Sequence, residues 1–219
     1  RQVKYGPFSD IQSSQHSGES SEFIQSSELC GSCHDVFAYP GILIEQAYSE
    51  YIESPAYESG QRCQDCHMSP TPGVESVRNW GPIAVTDNDV YPDRPLSSHL
   101  FVGPDYSLID NFPYPDDIDA SQAAQELHLE RVDSLLKNAV DLVDLDINRT
   151  PNGVIATVGV RNKTQGHRVP TGFTSERQLW LHIEIFDGNG NLFFQSGALD
   201  ANGDLYDAHS EFVREGLFS

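Results

Sequence analysis

The 219-residue chain carries 13 Lys and Arg against 33 Asp and Glu, a formal net charge of −20, and 38% hydrophobic residues. So acidic a surface repels nucleic-acid phosphates and anionic lipid and favours basic partners and cations, so no nucleic-acid partner is expected, and no apolar run approaches the length of a membrane span. The length suits one large domain or two small ones, and the low apolar fraction predicts many loops or a core filled partly by something other than side chains.

The chain opens at Arg1 rather than Met, which reads as a processed or trimmed product, and no signal peptide is visible. Residues 1–29 are polar and rich in Ser and Gln, and read as loop. In "GILIEQAYSEYIES", residues 41–54, Ile44, Ala47, Tyr48, Tyr51 and Ile52 recur at helical spacing, and Pro55 marks the end. Residues 69–119 contain "SPTPG", "YPDRP" and "NFPYPDD", which neither a helix nor a central strand accepts. A loop of that length in a compact domain is expected to be ordered around something. Residues 120–145 give the clearest helix, with Ala124, His128, Val132, Leu135, Leu136, Ala139, Val140 and Val143 on one face.

Beyond residue 150 the period becomes two. "GVIATVGVR" puts Val154, Ala156, Val158 and Val160 on one side, and "QLWLHIEIFD" does the same with Leu179, Leu181, Ile183 and Ile185. "DGNG" then supplies a hairpin turn into "NLFFQSG". The elements predict an α+β chain in three parts: a loop-rich segment with a few helices over 1–119, a linking helix over 120–147, and a small antiparallel, sandwich-like β module over 148–219. The only internal repeat read from the sequence is a duplicated Cys-x-x-Cys-His.

That repeat holds all four cysteines. Cys30, Cys33 and His34 form "CGSCH"; Cys63, Cys66 and His67 form "CQDCH". Four thiolates suit a tetrahedral zinc site, and exported proteins form disulfides, but neither reading uses the two histidines. A c-type haem uses every residue: two thiols add to the two vinyl groups, and the next histidine lies under the iron as proximal ligand. Histidine at both positions by chance is on the order of one case in two thousand. Two covalently bound haems c, with His34 and His67 as proximal ligands, are therefore expected, and their faces would supply part of the missing core.

Each iron then needs a distal ligand or stays open. Met68 adjoins His67 and cannot reach across that haem, so bis-histidine ligation is expected, with low potentials. The ranked candidates are His99 in "RPLSSHLFVG", His167 in the Gly- and Pro-shaped turn "GHRVPTG", and His16 in the polar loop before the first motif. His128 reads as a satisfied core histidine, His182 as sheet packing, and His209 as exposed. "NRT" at 148–150 and "NKT" at 162–164 match the N-glycosylation pattern, which chance also produces in an Asn-rich chain.

The segments "YGPF", "SSELCGSCHDV", "YSEYIESPAYESGQRCQDCHM", "RPLSSHLFVG" and "GHRVPTGF…RQLWL" together resemble the C-terminal part of exported multihaem c-type cytochromes. The resemblance implies closely stacked, mostly bis-His haems, a β-sandwich-like tail carrying the "GHxxPTG" motif, and ligand roles for His99, His167 and His16. It implies export to the periplasm or cell surface, electron transfer to other redox proteins or extracellular acceptors, and no catalytic residue of the chain's own. Such cytochromes usually carry more than two haems, so a fragment, or a subunit of a cytochrome filament with haem ligation between chains, is also implied. Two other functions remain open: part of a multihaem oxidoreductase with an open iron, and a zinc- or disulfide-stabilised structural module.

Overall fold

The structure, a computed structural model, describes residues 3–10, 16–75, 80–82 and 91–206. It is α+β, and it divides into two compact units, Arg1–Thr174 and Ser175–Ser219. His209, expected to be exposed, lies outside the described residues, as do parts of the Pro-rich stretch 69–119. Among the described residues no helix is long and apolar enough to cross a membrane.

The polar opening is more ordered than its composition suggests. Strands β1 (Val3–Gly6) and β2 (Ser17–Ser20) pair in parallel, and short helices α1 (Glu22–Gln25) and α2 (Ser27–Gly31) follow. Polar side chains hide these elements from a periodicity reading, because the ladder is made by the backbone and needs no apolar face.

The helix expected over 41–54 is half strand. Strands β3 (Val36–Ala38) and β4 (Ile42–Glu45) form a hairpin, and helix α3 covers only Ala47–Ile52. Gly41, at φ +118°, turns the chain there, and Ile42 and Ile44 are β-branched residues that suit the strand. Pro55 does more than follow a helix end. It is the first residue of α4 (Pro55–Glu58), where its missing N–H costs nothing, and Ser54 Oγ accepts the Tyr57 N–H. Helix α5 (Cys63–His67) carries the second motif. The described part of the Pro-rich stretch holds only the short antiparallel pair β5 (Trp80–Pro82) and β6 (Asp93–Pro95).

Helix α6 spans Ile118–Lys137 and not 120–145. Asp117 caps its start by accepting the Ala120 N–H at 3.0 Å, and Asn138 closes its end by donating to the Ser134 carbonyl at 2.9 Å. The residues beyond, "VDLVDLD", alternate with period two and become strand β7 (Val140–Thr150), paired antiparallel with β8 (Gly153–Asn162). The helical periodicity seen in Ala139, Val140 and Val143 loses to the ladder with β8, which pairs the inward-facing backbone groups of the segment on either side of a bulge between Val143 and Asp146. The strand therefore starts ahead of residue 148, where the β module was expected to begin.

The second unit holds the hairpin β9 (Ile183–Phe186) and β10 (Leu192–Ser196). Its loop is repeated by a second one. Asp187 Oδ1 accepts the Asn189 and Asn191 N–H groups, and Asp200 Oδ1 accepts those of Asn202 and Asp204. Gly190 and Gly203 sit at φ +85° and +88° in the same place of each loop. "DGNGN" and "DANGD" are thus an internal repeat that the sequence reading missed, since its spacing is set by turn chemistry and not by hydrophobicity. Each described sheet has two strands.

Gly197 gives a test of the second unit. It has φ +72°, and a Cβ there would collide with the Leu181 carbonyl, while its own carbonyl accepts the Trp180 indole N–H at 3.0 Å. Gly197→Ala is expected to destabilise this unit by about 2–4 kcal/mol. Urea unfolding followed by tryptophan fluorescence would show it as a lower midpoint.

The apolar core is small. Among the described residues the buried hydrophobic side chains are Tyr51, Ala56, Val102 and Val132, and Ser27, Glu45, Glu50, Ser54, Ser69 and Ser121 are buried polar ones. Large apolar groups such as Phe37, Tyr39, Leu108 and Phe193 stay exposed.

Candidate haem-binding site

Both Cys-x-x-Cys-His motifs form a single helical turn. In the first, the Cys33 and His34 N–H groups both donate to the Cys30 carbonyl, at 3.1 and 3.0 Å. In the second, Asp65 holds the start of α5 by accepting the Arg62 backbone N–H at 2.8 Å and its guanidinium at 3.0 Å. At helical spacing, residues i, i+3 and i+4 share one face, so each turn presents two thiols and an imidazole together.

The two turns are docked on each other by polar contacts. The Cys63 N–H donates to Ser27 Oγ at 3.1 Å, the Gln64 amide to the Ser26 carbonyl at 2.8 Å, and the Arg62 guanidinium to the Gln25 carbonyl at 3.0 Å. The nearness of the Cys30 and Cys63 sulfurs pushes the Cys30 pKa above its ordinary value and that of Cys63 below it. Burial raises Cys66. No disulfide joins any of the four cysteines.

Each motif histidine is oriented by an oxygen on its Nδ1. His34 Nδ1 donates to Glu45 Oε1 at 2.8 Å. His67 Nδ1 donates to the Val102 carbonyl at 2.8 Å. A carbonyl only accepts, so the His67 proton sits on Nδ1 and the Nε2 lone pair is left for a metal. Burial also pushes the His67 pKa below its ordinary value, against the raising effect of the Val102 carbonyl, which favours the neutral ligand form.

His167 stands opposite His67. Their ring centroids are 6.1 Å apart with 29° between planes. Two imidazoles bound to one first-row metal ion place their centroids about 6 Å apart, from two bonds of about 2 Å and a ring radius on each side. His167 Nδ1 donates to its neighbour's carbonyl, Arg168 O, at 2.8 Å, which again leaves Nε2 as the acceptor.

The "GHRVPTG" turn that carries His167 is clamped onto α3 and α4. Glu50 Oε2 accepts the Arg168 N–H at 2.9 Å and the Thr171 hydroxyl at 2.8 Å. The Ala56 N–H donates to the Gln165 carbonyl at 3.2 Å, and Asn162 Nδ2 donates to the His167 carbonyl at 2.7 Å. Gly172, at φ +72°, closes the turn beside Glu45. A cavity of about 240 Å³ opens here, lined in part by Glu50, Ser54, Asn162, His167 and Arg168. Removing the Glu50 carboxylate strands two donors, so Glu50→Ala is expected to cost about 2–3 kcal/mol. A lower urea midpoint for the first unit would register it.

The other candidates fall elsewhere. His99 is exposed and stacks on Phe101 at 6.2 Å, although its segment does pack against the second motif, where the Ser98 N–H donates to the Met68 carbonyl at 2.9 Å. What that segment brings to His67 is the Val102 carbonyl. His16 is at the start of β2, with Nδ1 3.2 Å from the Ser17 carbonyl. His128 Nε2 donates to the Asp105 carbonyl at 2.9 Å from the half-buried face of α6, as a satisfied packing histidine does. His182 lies beside Gln195 and Glu184 on the β9–β10 hairpin.

Glu45, Glu50 and the Val102 carbonyl were missed by sequence reasoning. A carboxylate in an acidic chain carries no signal, and a backbone carbonyl carries none at all. Among the described residues no three His, Cys, Asp or Glu side chains converge into a cage for a bare metal ion. A haem iron asks less of the protein, two axial nitrogens and two thiols on one helical turn; the second motif with His167 fits that demand, and the first supplies its two thiols and one imidazole, His34. Comparison of the chain with protein-family models, with curated proteins and with solved structures gives no match.

Proposed function

We propose that this chain is a dihaem electron-transfer segment of an exported multihaem c-type cytochrome. The observation that carries the reading is the His67–His167 pair, two imidazoles 6.1 Å apart whose Nδ1 positions are both committed to carbonyl oxygens. Both Nε2 atoms are thereby left free, and His67 and His167 would together hold one haem iron. Cys63 and Cys66 would hold this haem, and Cys30, Cys33 and His34 the other. His99 and His16 remain the distal candidates for the iron at His34.

Each haem, when bound, supplies one-electron chemistry at its iron; the chain supplies ligand identity, orientation and burial. His67 and His167 hold their tautomers through Nδ1–H bonds, the clamped turn fixes the distal imidazole, and the docked helical turns keep the two sites close. Exposed large apolar side chains beside so small a core suit a protein whose core is completed by porphyrin faces. The finer architecture, a loop-rich dihaem segment followed by a sandwich-like module, belongs to this proposal. So do the partners: redox proteins or extracellular acceptors, and further copies of the chain in a filament whose haems are ligated across subunits.

A second reading rests on the docking of the two cysteine motifs. Two cysteine pairs held together by the Cys63 N–H bond to Ser27 Oγ and the Gln64 amide bond to the Ser26 carbonyl also suit a zinc- or disulfide-stabilised structural module. A pyridine haemochrome assay and a thiol count separate the two. The haem reading expects two c-type haems per chain and no alkylatable thiol after denaturation and reduction. A colourless protein with four alkylatable thiols would establish the structural module instead. An open iron, as in a multihaem oxidoreductase, would show as ferric high-spin bands and a CO-induced shift.

A further inference from the structure

This inference deepens the haem reading and rests on it. The two proximal imidazoles have partners of different charge. His34 donates its Nδ1–H to Glu45 Oε1 at 2.8 Å, and the Glu45 side chain is only 8% exposed. His67 donates to a neutral backbone carbonyl, Val102 O, at the same 2.8 Å. Glu45 is the one buried residue of β4, and among the described residues no Lys or Arg pairs with it.

A carboxylate on the far nitrogen of an imidazole draws the Nδ1 proton toward itself and leaves more electron density on Nε2. A ligand made more basic in this way favours the ferric iron, which carries the extra positive charge, and lowers the reduction potential. Salt screens a buried charge much less than an exposed one. A carbonyl carries a dipole and no net charge, and does the same more weakly. The acidic surface of the chain acts on both sites and does not distinguish them.

We propose that Glu45 acts through His34 as a positioning residue that orders the two haem potentials. With haem bound, an iron held by His34 would be the lower-potential centre, and in the half-reduced protein the single electron would reside at the centre held by His67 and His167. No bond forms or breaks in that one-electron distribution.

The test is an optical redox titration of the haem-loaded chain beside Glu45→Gln. Gln keeps an oxygen to accept the His34 proton and removes the charge. Wild type is expected to show two one-electron waves, and E45Q to move the lower wave to higher potential while the upper one stays. Glu58→Gln, an exposed carboxylate on α4, should move neither. Equal movement of both waves, movement of the upper wave alone, or no movement would overturn the proposal.

Should E45Q fail to load haem, the near-infrared magnetic circular dichroism of the wild-type ferric protein decides. Two charge-transfer bands, one shifted toward the imidazolate position, support the role of Glu45; a single band at the neutral-histidine position overturns it. Failure of the haem reading looks different, because no c-type haemochrome would then be found in any variant.

Discussion

On the proposed dihaem reading, replacing His167 with alanine is expected to turn one of two irons from low-spin to high-spin. The imidazole that faces His67 at a ring separation of 6.1 Å is removed. Nothing replaces it, because the surrounding turn is pinned to Glu50 through the Arg168 N–H and the Thr171 hydroxyl, and cannot bring another side chain inward without breaking both bonds. The ferric spectrum should lose half of its low-spin intensity, and reduced protein should take up one more equivalent of CO per chain than wild type. His128→Ala serves as the control. Its Nε2 is bonded to the Asp105 carbonyl, so the spectrum should not move. An unchanged low-spin spectrum in His167→Ala would remove this histidine from the ligand set.

The second large effect is expected from replacing Cys63 and Cys66 together with alanine. Haem c content should fall from two per chain to one, read by pyridine haemochrome per mole of protein and by intact mass. The helical turn itself should survive. Alanine is the best helix former, and the bond from the residue-63 N–H to Ser27 Oγ is a backbone bond that the substitution keeps. The Asp65 cap on Arg62 is also untouched. The remaining haem would stay on Cys30 and Cys33. Two haems in this double variant would show that the motif does not attach one.

How much of this was legible from the sequence varied with the kind of interaction. Helix α6 and strand β8 were read correctly in type, because each presents one apolar face at a period that survives inspection. The end of α6 was read too late: Val140 and Val143 fit a helical face and a strand equally, and only the pairing of β7 with β8 chooses between them. The same conflict made one helix of β4 and α3, where a turn at Gly41 outweighs the spacing of Ile44 and Ala47. The strands of residues 3–20 are four residues each, and only Val3 and Tyr5 alternate, too short a run to read against the polar Ser- and Gln-rich stretch around it.

The candidate site divides along the same line. The thiols and imidazole of each motif lie within five consecutive residues, so a single helical turn assembles them and the sequence alone determines them. His167 was a candidate because Gly166, Pro170 and Gly172 shape its turn, but nothing local said which motif it would face. Glu50 and Arg168, whose bond aims that turn, are 118 residues apart in the chain. His99 ranked first on its apolar neighbours, yet its segment reaches the second motif with a backbone carbonyl and not an imidazole.

The sequence by itself therefore determined the chemistry available: four thiols in two pairs, each with its own histidine, in an acidic chain whose apolar fraction is low. Only the tertiary structure decided the partners of those histidines: His167 across from His67, Glu45 behind His34 and the Val102 carbonyl behind His67. The physical reason is range. Backbone hydrogen bonds within one turn act between residues near in the chain, whereas opposed imidazoles and buried carboxylates depend on how distant segments are folded onto each other.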